Sequence, residues 1–83
     1  MGYTILNETI VNSKPVDYYN GKQAKLLADY WNHENKMFVR GETVEITNRH
    51  AEFSNWFDVK DMGGNVLRKV PSFNLKLIVH DSN

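Results

Sequence analysis

The histidines and serines of this chain are the residues that would carry nucleophilic or acid–base catalysis. A serine nucleophile needs a histidine base that is oriented by an acid, and it usually sits on a strained turn between a strand and a helix. His33, His50 and His80 all fall in predicted loops or near the tail, and no serine has that setting. The sequence therefore predicts a protein that is not an enzyme.

The same histidines form only weak candidates for metal ligation. His33 is followed directly by Glu34, and a single residue separates His50 from Glu52. Neither pair has the two-histidine spacing of a zinc-binding helix. The Gly-Gly pair at 63–64 is not a phosphate loop, because no Lys-Ser or Lys-Thr follows it and a hairpin turn accounts for it. We expect neither a metal nor a cofactor.

Composition indicates one small folded domain. The chain has 83 residues, no cysteine, and 10 basic and 10 acidic side chains that give a formal net charge of zero. Disulfides and thiolate sites are thereby excluded, and binding of nucleic acid by bulk charge is disfavoured. The sequence signals neither a membrane span nor a secretory leader, so we expect a cytoplasmic protein without membrane association, as a monomer or a weak homodimer.

Period-2 alternation dominates the second half of the chain and predicts strands. The stretches 38–46, 55–60 and 70–78 each have the character of a strand with a turn signal at an edge. Val44 and Ile46 alternate with polar residues in the first, and Leu75, Leu77 and Val79 recur at every second position in and just after the third. Residues 61–65, Asp-Met-Gly-Gly-Asn, predict the turn of a hairpin that returns along 66–70. Short strands at this spacing are typical of a small barrel or a two-sheet sandwich.

The segment 22–33 fits two different structures. Ala24, Leu27, Ala28 and Trp31 have the spacing of one apolar helix face, and the segment is rich in good helix formers. Pairing with neighbouring strands would instead make part of it a β-strand. Both alternatives stay open at the level of sequence, and so does an added strand from the N-terminal stretch 1–11.

Four phrases in order resemble the Src-homology-3 (SH3) family. They are Leu-Leu-Ala-Asp-Tyr at 26–30, Phe-Val-Arg-Gly-Glu at 38–42, Trp-Phe at 56–57 and Pro-Ser-Phe-Asn at 71–74. The match spans roughly residues 24–79. The resemblance implies a mostly β protein: a small SH3-like five-stranded barrel over 22–83, preceded by an N-terminal extension over 1–21.

The resemblance also implies a non-enzymatic protein-protein interaction module. The family's aromatic groove for proline-rich ligands maps onto Ala28, Tyr30, Trp56, Pro71 and Asn74, so two of its rings are lost here. Phe73 is placed to substitute for one ring, and Glu34 is what remains of the acidic residues that pair with a ligand arginine. The predicted partner-binding residues are Tyr30, Glu34, Trp56, Pro71, Phe73 and Asn74. We expect weak binding or none to a standard PxxP peptide.

A partner protein or peptide segment is therefore the expected ligand, as for a small bacterial or phage accessory protein that modulates a larger one. The extension offers Val-Asp-Tyr-Tyr at 16–19 as a segment that could lie across the groove. The alternative function is nucleic-acid binding by a small barrel with one basic edge. That edge would comprise Lys60, Arg68, Lys69 and Lys76.

Overall fold

The computed structural model describes residues 2–5, 11, 13–50 and 56–79. Over these residues the chain forms short strands that pair antiparallel. The strands are β1 (Gly2–Ile5), β2 (Gln23–Leu26), β3 (Tyr30–Trp31), β4 (Met37–Phe38), β5 (Thr43–His50), β6 (Trp56–Lys60), β7 (Val66–Pro71) and β8 (Leu75–Val79). A 3₁₀ turn at Ser72–Asn74 joins β7 to β8. The mostly β fold class is confirmed.

Two antiparallel sheets make up the described structure. One has six strands in the order β1-β8-β2-β5-β6-β7, and the other is the hairpin of β3 and β4. β1 lies beside β8, with Gly2 opposite Val79, so the N-terminal stretch adds the strand that the sequence left open as an alternative. The outer strands β1 and β7 do not pair with each other in residues 2–5 and 66–71, so backbone pairing does not close this sheet into a barrel.

The helix considered for residues 22–33 is wrong. Gln23–Leu26 is instead a strand between β5 and β8, where Ala24 and Leu26 are fully buried and Gln23 and Lys25 are not. This alternation has the period of a strand, and two neighbouring ladders satisfy the backbone on both sides. Pairing in the sheet therefore outweighs the helix propensity of these side chains.

The segment before residue 22 packs into the same core as the strands. Tyr19 is 1% exposed, and its ring meets the ring of Phe57 edge to face at a centroid distance of 5.6 Å. Burial and the neighbouring Tyr18 raise the pKa of Tyr19, and the charge of Arg49 opposes that shift. Arg49, itself buried, donates from Nη1 to the carbonyl oxygens of Val11 at 3.1 Å and Lys14 at 3.3 Å.

This packing differs from the position predicted for residues 16–19 across the Trp56 groove. Trp56 and Phe57 are neighbours in β6 and point to opposite faces. Tyr19 contacts Phe57, on the inner face, while Tyr18 lies against the side chains of Lys14 and Lys22. The aromatic pair of the extension is therefore used for core packing and a cation–π cluster.

An irregularity in the sheet centres on Asp58. The register of β6 with β7 shifts so that Asp58 alone faces Arg68 and Lys69, which is a β-bulge. Lys69 has a φ of 60°, in the left-handed region that glycine prefers. The Oδ1 atom of Asp58 accepts the backbone N–H of Lys69 at 3.1 Å and lies 2.8 Å from Nε2 of His50. The carboxylate thus holds the bulge in place.

Replacing Lys69 by glycine should stabilise the protein. A non-glycine residue pays about 1 kcal/mol for the left-handed conformation, so we expect Lys69→Gly to raise the free energy of unfolding by about 0.5–1 kcal/mol. Urea denaturation measures the change. The matched control is Arg68→Gly, the exposed neighbour without positive φ, which should lose about 0.5–1 kcal/mol. Destabilisation by both substitutions would contradict the strain at Lys69.

Candidate functional site

An exposed aromatic ring lies beside a proline at one end of the β6–β7 hairpin. Phe57 and Val59 are buried, so the alternation of β6 turns Trp56 outward, where it is 36% exposed. Trp56 and Pro71 are direct partners across the two strands. Facing positions in an antiparallel pair bring side chains on one face into contact distance. Proline fits the end of β7 because it has no N–H to offer to a ladder.

The 3₁₀ turn that follows Pro71 extends this surface as far as Tyr30, the first residue of β3. Ser72 is buried and anchors the turn, whereas Phe73 points outward and is 64% exposed. The Nδ2 group of Asn74 donates a hydrogen bond to the hydroxyl oxygen of Tyr30. The Asn74 carbonyl oxygen also accepts the N–H of Leu27 at 2.8 Å. The turn is therefore held to β3 through both a side chain and the backbone.

Five of the predicted partner-binding residues thus form one connected surface, which we call the docking surface. Its members are Tyr30, Trp56, Pro71, Phe73 and Asn74. The order of connection runs from Tyr30 through the 3₁₀ turn to the Trp56 and Pro71 pair. The rings of this surface belong to three different elements, so only the folded chain assembles it.

Glu34, the sixth predicted residue, belongs to a different part of the molecule. It sits in the loop between β3 and β4, where its Oε1 lies 3.9 Å from Nε2 of His33 and both side chains are 69% exposed. This loop is fastened to the β6–β7 turn, whereas Trp56 and Pro71 lie at the other end of those strands. The structure therefore separates Glu34 from the docking surface.

Asn32 organises the loop that holds Glu34. Its Oδ1 accepts the N–H groups of Glu34 and Lys36, each at 2.9 Å, and its Nδ2 donates to the carbonyl oxygen of Val66 at 3.0 Å. The residue is only 7% exposed. Only an amide side chain can make all three contacts together, because an aspartate would accept the two N–H groups but could not donate to Val66. Nothing in the sequence around Asn32 predicts this role, because Val66 is remote in the chain.

Asp61 organises the facing turn in the same way. Its Oδ1 accepts the N–H groups of Gly63 and Asn65 at 2.9 Å, and its Oδ2 lies 3.6 Å from Nζ of Lys36. Gly64 supplies a φ of 87°, so the predicted Gly-Gly hairpin is confirmed. We call Asn32, Lys36, Asp61, Asn65 and Val66 the hairpin clasp, because together they join the two loops.

The clasp fixes the charge of Asp61. Burial alone would raise the pKa of this carboxyl group, but the hydrogen bonds from Asn65 and Gly63 and the charge of Lys36 outweigh it. The net result is a pKa below the ordinary value for aspartate. The ionised form is therefore the one that the folded protein favours.

The four residues of the predicted basic edge do not share one edge. Arg68 and Lys69 are exposed neighbours on β7, but Lys76 lies on β8, with β2, β5 and β6 in between. Nζ of Lys60 lies 3.9 Å from Oε2 of Glu45, on the side of β6 that faces β5. Periodicity within each strand could not reveal this separation, because the strand order decides it.

Trp31 is an exposed ring, whereas the helix alternative for 22–33 would have placed it on an apolar face. In β3 it is 64% exposed and lines an open depression with the clasp residue Asn32 and with His33, Leu67 and Arg68. Tyr30, the preceding residue, is half-buried against the core. A two-residue strand offers too little alternation for the sequence to show which ring faces outward.

The candidate catalytic and metal-binding residues that the structure describes, His33, Glu34 and His50, do not form one cluster. His33 faces Glu34, and His50 faces Asp58, while Glu52 and His80 lie outside the described residues. Residues 2–5, 11, 13–50 and 56–79 contain no group of three or more potential metal ligands. Within the same ranges, no helix has the length and hydropathy to span a membrane.

Comparisons with protein-family models, curated proteins and solved structures found no match to this chain.

The clasp predicts a specific loss of stability in acid. The folded-state pKa of Asp61 lies below its unfolded value, so its contribution is present above pH 3.8 and is lost as the pH falls through the lower folded-state pKa. Asp61→Asn should lower the free energy of unfolding at pH 7 and flatten the decline below about pH 4.

Chemical denaturation at a series of pH values tests this prediction, with Asp17→Asn in an exposed turn as the matched control. Asp61→Ala, which removes every bond of the carboxylate, should cost about 1–3 kcal/mol at neutral pH. An acid profile of Asp61→Asn identical to that of the wild type would contradict the role of the clasp.

Proposed function

We propose that this chain is a non-enzymatic interaction module that binds a segment of another protein through the docking surface. The observation that carries the proposal is the pairing of Trp56 with Pro71, with Phe73 exposed on the adjoining turn. Aromatic rings that a scaffold holds at a shallow surface are efficient contact residues, since they bury large areas with little loss of conformational freedom.

The order of the elements supports an SH3-like arrangement of the five strands β2, β5, β6, β7 and β8. The sheet places β8, β2, β5, β6 and β7 side by side in that order. The β3–β4 hairpin is inserted between β2 and β5, and Gly41, with a φ of 89°, makes the turn that enters β5. The 3₁₀ turn stands directly before β8. The four phrases of the resemblance lie along these elements. They run from β2 to β3, from β4 to the turn before β5, at the start of β6, and from the end of β7 through the 3₁₀ turn.

The docking surface is held in place before any ligand binds. The Asn74 to Tyr30 hydrogen bond and the Asn74 to Leu27 backbone bond fix the turn on one side, and the cross-strand pairing fixes Trp56 on the other. A surface ordered in advance loses less entropy on binding. Complete burial of a large apolar side chain such as Phe73 contributes about 1.5–3 kcal/mol toward binding, before the entropic cost of association is subtracted.

The surface favours an apolar segment over a standard proline-rich ligand. Ala28 and Asn74 replace rings that would form the walls of proline slots, and the Tyr30 hydroxyl is already bonded to Asn74. Glu34, the acidic residue expected to meet a ligand arginine, lies beside the hairpin clasp. We therefore propose an apolar or aromatic segment of a larger protein as the partner.

A PxxP peptide should accordingly bind poorly. In a heteronuclear NMR titration of the ¹⁵N-labelled protein, we expect no saturable shifts at the Trp56 indole or the Tyr30 amide with peptide at micromolar concentration. Saturable shifts confined to these residues would show that proline slots exist despite Ala28 and Asn74. A lone shift in the tail residues would not count as binding at this surface.

Selection of peptides from a random displayed library tests the docking surface directly. Peptides are selected on the wild-type protein and then measured as synthetic peptides against Trp56→Ala and Phe73→Ala. We expect each substitution to weaken binding about tenfold or more, as for the contact residues of other interfaces.

The matched control is Met62→Ala, because Met62 is 68% exposed but lies in the β6–β7 turn, away from the docking surface. Met62→Ala should bind the selected peptides with the same affinity as the wild-type protein. Peptides that bind Trp56→Ala and Phe73→Ala as tightly as the wild-type protein would overturn the proposed site.

A further inference from the structure

A second surface of the molecule joins an exposed aromatic ring to an exposed cation. Trp31 from β3 and Arg68 from β7 line the same open depression, together with Asn32, His33 and Leu67. Leu67 is 3% exposed, belongs to the hydrophobic core and lies at the base of the depression, while Trp31, at 64% exposure, lies at its side. The depression lies on the β3–β4 hairpin and β7, and shares no lining residue with the docking surface.

Arg68 is available to an external anion. Within residues 2–5, 11, 13–50 and 56–79, its guanidinium has neither a hydrogen bond nor an ion pair, in contrast to Lys36 and Lys60, which face carboxylates. Lys69, its neighbour, has its backbone N–H held by Asp58 while its side chain is exposed. The bulge at Lys69 is what turns both consecutive residues of β7 toward solvent.

The scaffold holds the ring and the cation in fixed relation. Trp31 is paired with Met37 in the hairpin, and the next residue, Asn32, donates to the carbonyl oxygen of Val66 on β7. Arg68 is only two positions beyond Val66 on the same strand. The clasp contact therefore sets the distance between β3 and the part of β7 that carries the cation.

We propose that this depression binds one base and its phosphate from single-stranded nucleic acid. The base stacks on the indole of Trp31 above Leu67, and the phosphate oxygen accepts from the Arg68 guanidinium. Stacking on aromatic rings combined with backbone contacts from cations is how proteins bind single strands without sequence preference. The ring and the cation together match a nucleotide, which carries a planar face and an anion.

An acidic peptide would use only half of this site. A carboxylate would pair with Arg68 but would leave the exposed face of Trp31 without a planar partner. Duplex nucleic acid is also a poor fit, because its base faces are already stacked within the helix. The zero net charge of the chain agrees with a local contact to one or a few phosphates rather than a long cationic track.

Tryptophan fluorescence reports on the site directly. The chain has two tryptophans, so a Trp56→Phe background leaves Trp31 as the only one. Titration with a single strand of about eight thymidines at low salt should quench Trp31, since a stacked base contacts the indole. The matched duplex should give no saturable quenching. In the same Trp56→Phe background, Arg68→Ala should weaken binding about tenfold. It should also reduce the slope of log K against log salt concentration by the amount expected for one phosphate contact, about 0.7.

Anisotropy of a labelled oligonucleotide supplies a second readout that works without Trp31. Trp31→Ala should lose binding, while Lys60→Ala, whose cation faces Glu45 elsewhere in the sheet, should bind like the wild type. Because Trp31 is largely exposed, circular dichroism should show that Trp31→Ala remains folded.

Several results would overturn the site: unchanged anisotropy with Trp31→Ala, equal binding of the duplex, effective competition by polyglutamate, or no binding at about 50 mM salt. The peptides selected on the docking surface should bind Trp31→Ala normally, so failure of either proposal is recognised separately.

Discussion

Burial of Phe57 is the constraint on which the positions of the other groups of β6 depend. Tyr19 packs edge to face against this ring, and Val59 enters the core two residues later. Side chains of a strand alternate between faces, so burying these residues turns Trp56, Asp58 and Lys60 away from the core. A shift of one residue in register would bury the ring at 56 and expose the ring at 57. The core therefore determines the surface.

In the β3–β4 hairpin, too, the alternation of side chains directs two neighbouring rings to different surfaces. Tyr30 turns toward Asn74 and the 3₁₀ turn, while Trp31 turns toward Arg68 on β7. Two residues are too few to hold a hairpin in place by pairing alone. The clasp supplies what is missing, because Asn32 bonds to Val66 and Lys36 meets Asp61. A polar contact between loops thus orients aromatic rings on two separate surfaces.

The sequence predicts the local strands and turns of this protein better than it predicts which remote residues lie next to each other. Alternation located the strands in the second half, and the Gly-Gly pair located the hairpin, because both signals are local. The residues at 24, 27, 28 and 31 matched a helix, yet two neighbouring ladders made the first part a strand. Nothing near Asn32 indicates Val66 as its partner, and nothing near Lys76 indicates its distance from Arg68. The grouping of Tyr30 with Trp56, Pro71 and Asn74 came from the family resemblance, since these residues are remote in the chain.

The pairing of β1 with β8 has a consequence for the nascent chain. β1 is synthesised before every other described strand, but its partner in the sheet is synthesised after them all. β2 also needs β8 on one side, so the middle of the sheet is completed only when the last strand has left the ribosome. Until then, β2, β5, β6 and β7 can pair in order, but β1 and one side of β2 lack their partner and are exposed to other chains. Completion of this sheet therefore waits for β8, because β1 and β2 both pair with that strand. Pairings between segments so far apart in the chain form slowly, because the loop between them must be closed first.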